Sequence, residues 1–339
     1  MPAQSTKYRA AVVKGQNGKF EVVEREFNPD QLEPGHVAIK TLACGVCHSD
    51  SFTGDGQIPG HEVVGDIIAI HPSDEGKGFK VGDRVGGGWH GAHCFNCDRC
   101  RSGDFGTCRE ELVNGFTRPG GYTEIADLKI EALVRIPKDI DPAEAGPLLC
   151  AGVTVFNSMR NVSHLKPGEV VLVQGLGGLA HLAVQFAKKS GYYTVVSSRG
   201  TSKKDLAMEL GADLYIDSQA QDLAKELEKL GGAKVAVATA PSADAISSLV
   251  PSLGVDGTLL LLAVPDKDVA IPAMPMVQKR LQVQGWPSGT AKHSEETVKF
   301  AQQTGVKVYI EKYKLDQVQE AFDSMMNNKA RFRSVIVFE

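Results

Sequence analysis

Four cysteines, Cys94, Cys97, Cys100 and Cys108, fall within fifteen residues, separated by gaps of two, two and seven. Two-residue gaps let neighbouring thiolates converge on one ion from a tight turn, and four thiolates fill a tetrahedral zinc shell. A filled shell has no open position for substrate, so the loop from Trp89 to Cys108 is expected to be a structural brace. A disulfide framework suits small secreted chains. A bacterial iron–sulfur run ends in a three-residue gap followed by proline, whereas here Arg109 follows a gap of seven. Three other groups carry ligand types. Cys44, Cys47, His48 and Asp50 crowd one heptapeptide, His61 and Glu62 are adjacent, and Cys150 stands alone before Ala151 and Gly152. Singly each is weak, because a lone cysteine is more often a small core residue. Together they can furnish Cys2His, a catalytic zinc set that leaves the fourth position open.

A different chemistry is written at Gly175-Leu176-Gly177-Gly178-Leu179-Ala180. The pattern G-x-G-x-x-A follows an apolar run, Val170 to Gln174, and opens a stretch with helical spacing from Leu179 to Lys189. In that setting Gly175 permits the tight turn, Gly177 and Gly178 admit a pyrophosphate close to the backbone, and the helix start at Leu179 offers free N–H groups to it. The acidic residue that holds an NAD ribose should lie about 20 positions further on. Ser198, Arg199 and then Lys203 stand there instead, and no carboxylate appears before Asp205. That set suits the 2′-phosphate of NADP, with NAD still open.

The elements that must position these groups change character near residue 151. Up to there the chain reads as short β-branched runs, such as 37–42 and 63–70, punctuated by Pro34-Gly35 and Gly82-Asp83. Beyond it, strands at 170–174, 194–198, 214–217, 235–239 and 258–263 alternate with helical stretches, including 204–210. Such alternation means a parallel sheet covered on both faces. The last segment reads as helices at 294–304 and 315–327 and a strand at 333–338.

Composition bounds the function. The 339 residues carry a formal charge of −4, which argues against a nucleic-acid or membrane-surface role. No apolar leader is read at Met1 to Ala10, and the longest apolar run, 259–265, is far too short to span a bilayer. Seven cysteines, several at ligand spacing, suit a reducing compartment better than a disulfide scaffold, so a cytoplasmic location is expected.

The motifs, in this order, resemble the zinc-containing alcohol dehydrogenases of the medium-chain dehydrogenase/reductase superfamily, and most of all the fungal and cinnamyl-type members. The resemblance covers nearly the whole chain. It implies an α/β protein: a Rossmann doubly wound parallel sheet at 151–289, inserted into a β-rich GroES-like catalytic domain made of 1–150 and 290–339. It implies that Cys47, His61 and Cys150 hold the catalytic zinc, with Cys44 a bystander and Glu62 a nearby carboxylate that ligates or tunes the metal. Ser49 would bond the substrate oxygen and begin a proton relay, and Asp50 would orient His61. His48 and Arg333 match positions near the cofactor pyrophosphate, and Thr154 matches a contact on the nicotinamide side. Two zinc ions per chain, an alcohol/aldehyde substrate pair and a homodimer or homotetramer follow from the same resemblance, with the strand near 281–286 as a contact edge. Polyol and formaldehyde dehydrogenases of the same superfamily, or a non-catalytic dinucleotide-binding protein, are the alternatives.

Two departures from the family stand out. Phe52 replaces a histidine that many relatives carry at the outer end of the relay. The segment from Ser51 to Pro59 is also short. The expectation is a more open pocket mouth, with Phe52 and Trp89 helping to line it.

Overall fold

In the computed structural model, residues 5–15, 18–265 and 267–339 are described. Met1 to Gln4, the start of the N-terminal stretch read above, lie outside them. The chain divides into two units, one made of 1–153, 288–302 and 308–339, the other of 154–287 and 303–307.

The second unit is organised by six parallel strands: β1 (Val170–Gln174), β2 (Tyr193–Ser198), β3 (Leu214–Asp217), β4 (Ala233–Ala238), β5 (Leu253–Leu261) and β6 (Gln282–Gly285). Their order is β3-β2-β1-β4-β5-β6, with the chain reversing direction across the sheet at β1. This is the doubly wound dinucleotide-binding order. Val171, Leu172 and Val173 are fully buried, as the unbroken apolar run requires of a strand covered on both faces. One boundary differs from the sequence reading: β5 begins at Leu253, five residues before Thr258, and ends at Leu261. Gly254 and Gly257 weaken the strand signal in sequence, yet both press against backbone where a Cβ would not fit. The return of 303–307 to this unit is held by Gln185. Its side chain donates to Lys307 O at 2.8 Å and accepts from Lys307 N at 2.8 Å.

The first unit is built on a seven-stranded sheet. Its strands run in the order Ile310–Lys314, Arg333–Val337, His36–Gly45, Val63–Ile70, Arg84–Gly87, Val134–Arg135, and Ile125–Lys129 also pairs with His36–Gly45. The C-terminal strand lies antiparallel to His36–Gly45, with Ile336 opposite Cys44. Arg333 is thereby brought to the metal-ligand types of the N-terminal segments. Beneath the sheet Tyr122, Ile39, Ile67 and Leu128 are 0–2% exposed and form the middle of the core. Among the described residues no helix is long and apolar enough to cross a membrane.

Glycine spacing sets how closely these layers approach. Gly60, immediately before His61, has φ of +103°, and a Cβ there would stand 2.6 Å from the Tyr122 ring and 2.7 Å from Cys44 Sγ. The substitution Gly60→Ala therefore combines backbone strain with overpacking. It is expected to lower unfolding stability by about 2–4 kcal/mol, read as a lower denaturant midpoint at unchanged slope.

Candidate active site and metal centres

The four-cysteine loop hangs between two short paired strands, His90–Ala92 and Leu112–Val113. All four cysteines are free thiols. Their sulfurs stand 3.6 Å (Cys94–Cys108), 3.9 Å (Cys97–Cys108) and 4.0 Å (Cys94–Cys100) apart. A disulfide needs about 2.05 Å, whereas four sulfurs each 2.3 Å from a zinc at the centre of a tetrahedron sit about 3.8 Å from one another. The N–H groups of Cys97 and Glu110 donate to Cys94 Sγ and Cys108 Sγ, both at 3.3 Å. Backbone N–H groups of Arg109 and Cys100 lower the Cys97 pKa to about 6. Distances and donor chemistry both fit a closed zinc shell.

A second cluster is assembled from distant segments. Cys47 caps a 3₁₀ turn, His48–Phe52, just past the end of strand His36–Gly45. His61 and Glu62 precede strand Val63–Ile70. Cys150 lies on a π-helical turn, Leu148–Gly152, an irregularity often found where function needs a displaced side chain. One donor atom from each of Cys47, His61, Glu62 and Cys150 lies within 4.8 Å of every other. The two sulfurs are 3.8 Å apart, again a tetrahedral edge. Cys44, the alternative cysteine in the heptapeptide, is fully buried elsewhere, with its thiol toward Gly45 O.

Asp50 organises this cluster. Its Oδ1 lies 3.2 Å from His61 Nδ1, and its Oδ2 accepts from Cys47 N at 2.8 Å and Tyr122 Oη at 2.7 Å. The other imidazole nitrogen, His61 Nε2, is buried without a hydrogen-bond partner, as are Glu62 Oε2, Asp50 Oδ1 and Arg333 Nε. The Glu62 Oε1 accepts from Arg333, whose guanidinium is 4% exposed. Orphaned acceptors in a closed site mark where a cation belongs.

The electrostatics agree. The hydrogen bond from Cys150 drives the Cys47 pKa well down, helped against the effect of burial by His61 and Arg333. The same bond, followed by burial, drives Cys150 well up. Burial lifts Glu62 to about 7 although Arg333 opposes the rise. Burial also works against charge on His61, but Asp50 and Cys47 outweigh it and raise its pKa. Two sulfurs, an imidazole nitrogen and a carboxylate oxygen thus converge in one buried place, a donor set that suits a divalent cation.

The remaining sequence candidates fall as follows. Ser49 is half-buried and His48 exposed on the 3₁₀ turn after Cys47. Trp89 meets His61 edge-on, with ring centroids 5.1 Å apart, so it does not pack away from the cluster. Phe52 is 55% exposed. In the other unit, Gly175 closes the turn after β1 at φ +75°, and a Cβ at Gly177 would enter open space, the vacancy a close-approaching ligand backbone needs. Leu179 precedes the helix Ala180–Lys189 in αR conformation. Lys203 reaches back to Leu176 O at 3.2 Å, which sets its ammonium beside the glycine turn. Ser198 ends β2, Arg199 is exposed beyond it, and Thr154 is buried at the start of this unit.

Sequence reasoning missed Tyr122 and Asp217. Nothing in a Gly-Gly-Tyr run signals that Tyr122 will be fully buried against Asp50. Asp217 is the register partner of Ser198 on β3, and its Oδ1 accepts from Gly200 N at 2.8 Å and Gln219 N at 2.9 Å. Its place beside Ser198 is a product of sheet pairing, which no linear spacing announces.

A doubly wound nucleotide unit joined to a β-rich unit carrying two cysteine-rich ligand sets defines a zinc-type dehydrogenase. Family models agree: the alcohol dehydrogenase GroES-like domain matches residues 33–138 and the zinc-binding dehydrogenase domain matches 178–303. The chain is 44% identical to alcohol dehydrogenase notN of Aspergillus sp., over 90% of this chain and 91% of that one. It is 42% identical to alcohol dehydrogenase patD of Penicillium expansum, over 97% of each. A solved cinnamyl alcohol dehydrogenase from Sorghum bicolor superposes with a TM-score of 0.88 at 28% identity, covering 98% of both chains. The chain belongs to the zinc-dependent alcohol dehydrogenases of the medium-chain dehydrogenase/reductase superfamily.

Because three groups meet on Asp50, replacing it with asparagine removes the charge that His61 and the Cys47 turn depend on. Asp50→Asn is expected to cost roughly 10–100-fold in activity or in metal retention. Zinc release to a chelator and kcat/KM measured on the same preparation check this.

Proposed function

We propose that the chain is an alcohol dehydrogenase or aldehyde reductase that prefers NADP and holds two zinc ions per chain. One is a structural zinc on Cys94, Cys97, Cys100 and Cys108. The other is a catalytic zinc on Cys47, His61 and Cys150, with Glu62 as an adjustable neighbour. The observation that carries the reading is the unpartnered, buried His61 Nε2 beside two sulfurs at tetrahedral spacing. Zinc bound there supplies Lewis acidity, which polarises a carbonyl or acidifies an alcohol so that hydride can pass between carbon and nicotinamide.

The protein's own part is to orient, shield and move a proton. Asp50 holds the His61 ring with Nδ1 toward itself, leaving Nε2 for the metal. Arg333 keeps the Glu62 carboxyl engaged on one oxygen, while the other has no hydrogen-bond partner. A Cβ at Gly45 would overlap the Glu62 carboxyl, so the glycine is what lets that side chain lie so close. Trp89 covers one flank of His61 and limits water there. Ser49, two residues after Cys47, is the hydroxyl proposed to bond the substrate oxygen and take the alcohol proton. Phe52 cannot carry it onward, so either water or the cofactor ribose completes the exit or turnover is impaired.

On the nucleotide unit, Ser198, Arg199 and Lys203 are the groups for a 2′-phosphate, and Asp217 is already spent on two backbone N–H groups. The free edge of β6, with Val283 38% exposed and Val277 on the preceding helix 77% exposed, suits pairing between copies in a homodimer or homotetramer. A cytoplasmic site of action accords with seven free thiols.

Two measurements test the reading. Metal analysis of the purified protein should give two zinc ions per chain, and Cys100→Ser should leave one. A single ion in the unaltered protein overturns the assignment. Aldehyde reduction should show a higher kcat/KM with NADPH than with NADH, and Lys203→Ala should narrow the gap. A preference for NADH defeats the 2′-phosphate argument.

A further inference from the structure

We propose that Arg118 and Asn114 are positioning residues that hold a two-ring wall, Trp89 and Phe116, beside His61. By its shape and rigidity this wall selects flat aryl aldehydes and alcohols over small aliphatic ones. The inference rests on the dehydrogenase reading above and names the substrate class of that site.

The wall begins at the metal-ligand cluster. Trp89 stands edge-on to His61 at an interplanar angle of 83°, and Phe116 lies near-parallel to Trp89 at 21°, with ring centroids 6.3 Å apart. Phe116 is 43% exposed, so one aromatic side chain remains open to solvent while ordered against another. An unsupported phenylalanine on a turn would not hold such a pose. This one sits on a turn tied down from every side. Thr53 Oγ1 donates to Gly115 O at 2.6 Å, Gly115 N donates to Arg118 O at 2.9 Å, and Gly115, at φ +77°, abuts the backbone of Pro59 and Gly60.

The brace beneath is a buried charge. Arg118 is 7% exposed, and burial lowers its pKa against the pull of Asp127. One guanidinium nitrogen donates to Asn114 Oδ1 at 2.8 Å. The other donates to Asp127 Oδ1 at 2.9 Å and to Asp127 O at 3.1 Å. Asn114 passes the constraint on: its Nδ2 donates to Gly88 O at 2.8 Å, and its N donates to Trp89 O at 3.2 Å. His36 fixes the far end through Asp127 Oδ1 at 2.6 Å. A single planar fork therefore secures both the peptide that carries Trp89 and the turn that carries Phe116. A buried guanidinium is costly to desolvate, and fixing one arrangement is the best-attested use of such groups.

Two near-parallel rings held this way present a flat, polarisable face on which an aryl group can stack, whereas a methyl or ethyl group gains little from it. Because the wall touches the substrate's body and not its reacting atoms, its effect belongs in KM.

The test uses the zinc-loaded full chain with saturating NADPH. Initial rates on benzaldehyde and acetaldehyde are measured for the unaltered protein, Phe116→Leu and Arg118→Lys. Because the chain has two tryptophans, Trp89 emission is recorded in a Trp286→Phe background. Both variants should lower the benzaldehyde-to-acetaldehyde ratio of kcat/KM roughly three- to tenfold, through the KM for benzaldehyde. Arg118→Lys, which keeps the charge but loses the fork, should also shift the Trp89 emission. An unchanged ratio, or a fall of equal size in kcat for both aldehydes, overturns the selective wall. Unchanged emission in Arg118→Lys overturns the brace. If the unaltered protein reduces neither aldehyde, the dehydrogenase reading fails by itself, and titration with benzyl alcohol then decides the wall. Quenching of Trp89 in the unaltered protein that is lost in Phe116→Leu supports it, and equal quenching in both sinks it.

Discussion

One buried carboxylate holds the reactive half of this protein together. Asp50 is 2% exposed and reaches three separate segments: the N–H of Cys47, the ring of His61 and the hydroxyl of Tyr122. A carboxylate in such surroundings needs compensation, which two hydrogen bonds to Oδ2 and the imidazole 3.2 Å from Oδ1 supply. The same carboxylate ties the 3₁₀ turn to the core tyrosine and stands beside the imidazole. Loss of any partner would leave a buried charge short of donors, so the cluster is ordered as a unit. The glycines around it serve that closeness. Gly45 admits the Glu62 carboxyl, and Gly60 admits the Tyr122 ring.

The two cysteine-rich sets obey different physics although both show sulfur pairs near 3.8 Å. The loop of Cys94, Cys97, Cys100 and Cys108 closes on itself within one excursion of chain, and backbone N–H groups already lower the pKa of Cys97. Its metal would contribute to folding of that lobe directly. The other set draws Cys47, His61, Glu62 and Cys150 from three segments, and Arg333 arrives from the C-terminal strand. It exists only after the sheet has formed. That dependence suits a site that must keep one position free, since the surrounding frame, and not the ligands' own spacing, sets its geometry.

Much of this was legible in linear order. Val170–Gln174 and Leu214–Asp217 appear as strands with the boundaries their apolar runs suggest. The glycine turn and the helix after it were equally plain, because backbone conformation at glycine and helical periodicity are local properties. The start of the strand Leu253–Leu261 was not, since its two glycines look like loop punctuation until a neighbouring backbone is seen pressed against them. Tyr122, Arg118 and Asn114 carry no local sign of their burial. Their burial comes from pairing between segments far apart in the chain.

The sequence by itself determined the classes of chemistry available: four thiolates at ligand spacing, a scattered Cys-His-Cys set, and a phosphate-binding turn followed by Ser198, Arg199 and Lys203. It did so because ligand gaps and turn propensities act over a few covalent bonds. Family resemblance pointed to Cys47 over Cys44, and tertiary structure supplies the physical reason. Cys44 points into the core opposite Ile336, while Cys47, three residues on and past the end of the strand, turns toward Cys150. It also decided that Asp50 would be surrounded and that Trp89 and Phe116 would stack beside His61. Those outcomes depend on sheet register and on which polar groups are sealed from water, and neither exists until distant strands have paired.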